Sequence, residues 1–90
     1  MKTFTFTDRT SHQLLQDLNE GRIVKLAKEN GSAVILCDGN DIDEFGDNIY
    51  RMTIQPAHGE PFVERVPMNE TDMWNLLFGE KFTKYETINA

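Results

Sequence analysis

The chain has 90 residues, enough for one domain built on one core, residues 1–90. Fifteen acids against nine bases leave a net charge of −6, shared evenly as −3 in each half, and no basic tail or block offers a footprint for a phosphate backbone. The single cysteine, Cys37, excludes an internal disulfide and a cysteine-rich zinc site.

Thr3, Thr5 and Thr7 alternate with Phe4 and Phe6, a period of two in β-favouring residues that predicts a first strand with both phenylalanines in the core. A helix is expected from about His12 to Glu20. Thr10 with Gln13 fits a capping box, Ser11 competes as N-cap, Leu14, Leu15 and Leu18 form the apolar face, and Gly21 is the stop. Arg22 to Lys28 and Ser32 to Cys37 then read as two strands around Glu29-Asn30-Gly31, because Asn-Gly supplies the positive φ values a tight hairpin turn needs. Within the first of these strands Val24 and Leu26 point one way, Ile23, Lys25 and Ala27 the other. The run Ala33-Val34-Ile35-Leu36 suits a central strand and places Cys37 as a buried thiol.

Residues 38–48 hold five carboxylates and no base, and predict a loop ordered by Ile42 and Phe45 folding back on the core. Ile49 to Gln55 is a strand with Tyr50, Met52 and Ile54 on one face. Residues 56–61 form a turn, and Phe62 to Val66 returns as a strand that Pro67 ends. Asn69 caps a second helix, with Glu70 and Asp72 at the positive end of its dipole and Met73, Trp74, Leu77 and Phe78 as its apolar face. Gly79 stops it, and Phe82 to Ile88 is a last strand. The order β-α-β-β-β-β-α-β predicts an α+β fold: an antiparallel sheet of about five to six strands with two short helices packed on one face.

No motif in the chain identifies a reaction. Neither frame of an EF-hand loop fits 38–48: from Asp41 the fifth position is Phe45 and the twelfth Met52, and from Asp38 the fifth is Ile42 and the twelfth Ile49. The plainer reading is a solvated turn whose Asp, Asn and Gly residues satisfy their own backbone. Cys37 with His12 or His58 has the chemistry of a thiolate–imidazole pair, but nothing in the sequence brings them together, so both histidines are expected at the surface. No phosphate cradle, dinucleotide fingerprint or RNA-binding sheet consensus is present. The expectation is therefore a non-enzyme without cofactor or metal. The N-terminal residues lack the apolar centre of a secretory signal and no apolar run reaches a membrane span, so the expected compartment is the cytoplasm.

What remains is charge on a small scaffold. The reading is a protein-binding or inhibitor module in which Asp38, Asp41, Asp43, Glu44 and Asp47 engage a larger protein with a basic surface, without touching nucleic acid or membrane. Its sharper form is nucleic-acid mimicry. Small acidic α+β inhibitors of CRISPR or restriction effectors, from phages and mobile elements, share this size and charge, which is analogy and not a motif. Two alternatives stand beside it: a homodimer joined through sheet edges, acting as a ligand-binding protein or enzyme with its site at the subunit interface, and a structural accessory subunit.

Overall fold

The computed structural model describes residues 3–59 and 62–89, so Glu60 and Pro61 of the expected turn lie outside the described residues. In chain order the elements are β1 (Phe4–Thr5), α1 (Asp8–Asn19), β2 (Arg22–Ala27), β3 (Ala33–Ile42), β4 (Asn48–Gln55), β5 (Val63–Met68), α2 (Glu70–Leu77), β6 (Lys81–Phe82) and β7 (Lys84–Asn89). Five strands form one antiparallel sheet in the order β5-β4-β3-β2-β7, and β1 pairs with β6 as a separate two-stranded ribbon. The α+β class and the element order agree with the sequence reading, except that the last strand divides into β6 and β7.

Period-two alternation places the core on one face of the sheet. Val24 and Leu26 on β2 stand beside Leu36 and Val34 on β3, which stand beside Met52 and Ile54 on β4. Leu14 and Leu18 of α1 and Met73 and Leu77 of α2 close over them in the same cluster. Val24, Leu26, Leu36, Leu14, Leu18 and Met73 are all sealed from solvent, each such side chain contributing about 2 kcal/mol of burial. Phe6 seals one end of this core. Its ring meets Phe78 and Phe82 edge-on at 5.7 and 6.4 Å and lies tilted against Trp74 at 5.9 Å. The opposite face carries Ile23, Lys25, Ile35, Cys37, Arg51, Thr53 and Glu86, and among the described residues both helices pack on the other side.

Several local expectations are corrected. Helix α1 begins four residues before the expected start, at Asp8 with Thr7 as N-cap, and the Thr10–Gln13 capping box does not form. Ser11 lies inside the helix and its hydroxyl donates to the Asp8 carbonyl at 2.6 Å. The first strand is only two residues long, Phe4 and Thr5, although Phe6 continues its register, its N–H donating to Glu80 O at 2.9 Å while its ring packs against Trp74 and Phe78 of the α2 region. At the β2–β3 turn only Gly31 takes positive φ, +92°. Asn30 acts through its side chain instead, accepting from the Ser32 N–H at 2.9 Å. Pro67 lies within β5 and does not end it, which an edge strand with an irregular register tolerates. Asn69 caps α2 as expected, its Oδ1 accepting from the Asp72 N–H at 2.8 Å.

Candidate functional site

The largest departure from the sequence reading falls on the acidic segment. It is mostly strand: β3 continues to Ile42 and β4 starts at Asn48, which leaves a five-residue tip, Asp43 to Asp47. The ladder passes through an irregularity between Asp38 and Asp41, where Asn40 adopts φ +56°. Gly39 is required there, since a Cβ on it would stand 2.7 Å from the Ile49 carbonyl oxygen. Ile42 and Phe45 do not fold back on the core. They are 60 % and 81 % exposed, because the extended hairpin carries them beyond the reach of the sheet's buried face.

The carboxylates hold this hairpin in shape, which is the role that turn chemistry predicts for them. Asp38 Oδ1 accepts from the Asn40 N–H at 2.9 Å, and Asp41 Oδ1 from the Ile42 N–H at 2.8 Å. Asp43 Oδ1 accepts from both the Phe45 N–H at 2.8 Å and the Asp47 N–H at 2.9 Å, and the backbone closes the tip through Asp43 N–H to Asp47 O at 2.8 Å. Asp38 and Asp43 are half-buried, while Asp41, Glu44 and Asp47 are exposed. All five sequence-predicted site residues therefore lie on one projecting hairpin.

Sequence reasoning missed what stands beside the tip. Asp43, Phe45 and Asp47 share a groove of about 410 Å³ with Asn69, Glu70, Thr71 and Trp74 from the start of α2. The indole N–H of Trp74 donates to Glu70 Oε1 at 3.0 Å, fixing that carboxylate at the groove wall. Three carboxylates, one exposed phenyl ring and one half-buried indole thus face a common space that, among the described residues, no basic side chain lines. Glu70 was legible only as a helix-dipole partner, and nothing in the chain's order announces that the hairpin folds beside it.

The alternative chemistries find less. Cys37 is half-buried on the open sheet face and lines a second groove of about 440 Å³ with Gly21, Ile23, Asp38, Gly39, Asn40 and Arg51. Burial pushes its thiol above the ordinary value. The nearby Arg51 opposes this, and Asp38 and Glu64 reinforce it, so the sulfur is held as a poor nucleophile. His12 on α1 and His58 after β4 are both exposed, and neither lines that groove. Phe6 and Tyr50 are buried, which removes them from any base-stacking platform. Among the described residues no group of three or more His, Cys, Asp or Glu side chains is placed to hold a metal ion, and no helix is long and apolar enough to cross a membrane.

One buried charge is structural. Asp17 on α1 is only 1 % exposed, and its carboxylate accepts from the Tyr85 hydroxyl at 2.6 Å, the Arg22 guanidinium at 2.9 Å and the Gln13 amide at 3.2 Å. Burial disfavours its charge, but the hydrogen bonds from Tyr85, Gln13 and Arg22 outweigh that and lower its pKa. The same burial and the neighbouring carboxylate push the Tyr85 phenol well above its ordinary range. Among the described residues every buried side-chain nitrogen or oxygen has a partner. No protein-family model matches this chain, and no curated protein or solved structure shows significant similarity to it.

Proposed function

We propose that the chain is a small protein-binding module that docks its acidic hairpin on a basic surface of a larger protein. Asp38, Asp41, Asp43, Glu44 and Asp47 supply the charge, and Phe45 is the apolar anchor. The observation that carries this reading is Phe45, 81 % exposed at the hairpin tip and flanked on both sides by carboxylates. An aromatic ring held out in water by a hairpin braced from within gains free energy only when a partner covers it, and burial of such an anchor is what interface centres use. The carboxylates around it select a cationic rim and accelerate encounter at low salt. Nucleic-acid mimicry is the narrower form, in which the basic surface is a nucleic-acid cleft.

Capture from an extract of the source cells tests the proposal. The bound protein should be lost as salt rises, and lost at low salt from the variant with all five hairpin acids changed to Asn or Gln. Phe45→Ala should weaken capture about tenfold or more while leaving thermal stability within about 0.5 kcal/mol, because its ring contributes nothing to the core. A partner retained by the five-fold neutralised variant overturns the proposal. Competition by duplex DNA or RNA for the captured protein supports the mimicry form, and indifference to both removes it.

A further inference from the structure

We infer that two copies of this chain join through the outer edges of β7, extending the two five-stranded sheets into one across a twofold axis at Tyr85. The sheet has two edges, and they differ. β5 carries Pro67, which has no N–H to donate, and an irregular register against β4, both of which obstruct pairing with another strand. β7 is six residues long, holds regular register with β2 from Lys84 to Asn89, contains no proline, and carries Tyr85, Thr87 and Ile88 alongside Lys84, Glu86 and Asn89. Among the described residues nothing pairs with its outer side.

Which backbone groups face outward follows from the ladder. Lys28 donates its N–H to Ser32 O, so Lys28 faces β3. Alternation then turns Ala27, Lys25 and Ile23 towards β7, where they stand opposite Lys84, Glu86 and Ile88. The N–H and C=O groups of Tyr85 and Thr87 are therefore the ones on the open side.

A twofold axis relating antiparallel edge strands stands perpendicular to the sheet, and every residue then meets one on the same face. With the axis at Tyr85, Tyr85 meets its own copy and exchanges two backbone hydrogen bonds with it. Lys84 meets Glu86 of the second copy, and Glu86 meets the second Lys84, all on the open face. Opposite charges thus meet twice in this register. Shifting the axis by one residue sets Glu86 against Glu86, and shifting it by two sets Glu86 against Ile88, so the alternative registers oppose like charges or leave the carboxylate unmatched. Lys84 and Glu86 already pair within one chain, so the dimer closes a ring of four alternating charges. On the helical face α1 packs over β2 and β3, one strand back from the edge, which keeps the two copies of α1 apart. The groove of about 370 Å³ beside the edge, lined by Phe4, Arg9, Thr10, Gln13 and Tyr85, lies next to the second copy's Tyr85 and Thr87.

Sedimentation equilibrium of the full chain from about 5 µM to about 1 mM tests this, a range that reads dissociation constants from the micromolar to the millimolar. The mass should rise from 10.4 kDa towards twice that value with concentration. In this register Thr87 stands opposite Thr83 of the second copy, so Thr87→Pro, which removes only an outward N–H and turns its ring towards that strand, should abolish the dimer while leaving the circular-dichroism melt cooperative. Lys84→Glu should weaken dimerisation about tenfold, and the swap of Lys84→Glu with Glu86→Lys should restore it. A monomer throughout the range overturns the inference. So does a dimer indifferent to Lys84→Glu or, in the folded variant, to Thr87→Pro, since it would use another surface.

Discussion

Asp17 is the residue whose removal the structure prices most directly. Changing Asp17→Ala strands the Tyr85 hydroxyl, which is half-buried and donates to that carboxylate at 2.6 Å. A hydrogen bond to a charged acceptor is worth about 1.5–3 kcal/mol when its donor is left without a substitute. The Arg22 contact adds little, about 0.5 kcal/mol, because that side chain is 42 % exposed and keeps Glu20 as a partner at 2.6 Å. With the Gln13 contact and lost packing, the total is about 3 kcal/mol, or about 15 °C in melting temperature for a domain of this size. Tyr85→Phe should cost about 1.5 kcal/mol, and the double variant should cost less than the two singles together by about 1–2 kcal/mol. Urea unfolding followed by circular dichroism measures all three. The pH dependence has a definite sign. The folded-state pKa of Asp17 lies below its ordinary 3.8, so its contribution is fully present above that value and is lost as pH falls through the lower folded value. The cost of Asp17→Asn relative to wild type should therefore stay constant from neutral pH to about pH 4 and shrink below it. Additive single effects, or a cost that is unchanged at the lowest pH where both proteins fold, would refute the assignment of a buried, charged hub.

Two further outcomes are expected. Gly39→Ala should cost about 1–3 kcal/mol in urea unfolding, since its Cβ meets a backbone oxygen at 2.7 Å and the paired strand cannot retreat without breaking the ladder; a cost below about 0.5 kcal/mol would show the hairpin base to be pliant. Cys37 should alkylate more slowly than free cysteine near pH 8 by about threefold or more, because burial raises its pKa, and denaturation in urea should abolish the difference.

The parts of the fold legible in the sequence are those fixed by neighbours in the chain. Gly31 marks the β2–β3 turn, Asn69 caps α2, and the alternation of Val24 and Leu26 against Lys25 names the buried face. What was not legible depends on partners far along the chain. Phe4 and Phe6 share the core side as their alternation predicts, but Phe78 and Phe82, the rings that receive Phe6, lie more than seventy residues away. Asp17 reads as an ordinary polar helix position, and only Tyr85, 68 residues on, makes it a buried charge. Asp38-Gly39-Asn40-Asp41 has loop composition, yet its backbone stays paired with β4 through an irregularity that propensity does not encode. The five site carboxylates were found by clustering in sequence, whereas Glu70 and Trp74 join them only by folding.

The same hydrogen bonds that contradict the picture of a loose acidic loop strengthen the case for a docking element. A flexible segment presenting Phe45 would lose conformational freedom on binding, about 1 kcal/mol or more for each residue ordered. Here the tip is already closed by Asp43 at both of its turns, so that cost was met in folding. Each carboxylate that braces the backbone does so as an acceptor and keeps its negative charge, so rigidity and potential come from the same side chains. Pairing through β7 leaves this arrangement intact, because the hairpin joins β3 and β4 on the far side of β2. A twofold axis perpendicular to the sheet turns the two tips to opposite ends of the assembly. Tips that point in opposite directions along the strands cannot both enter one cleft end-on, so a dimer docking tip-first carries two separate partners without gaining avidity for one.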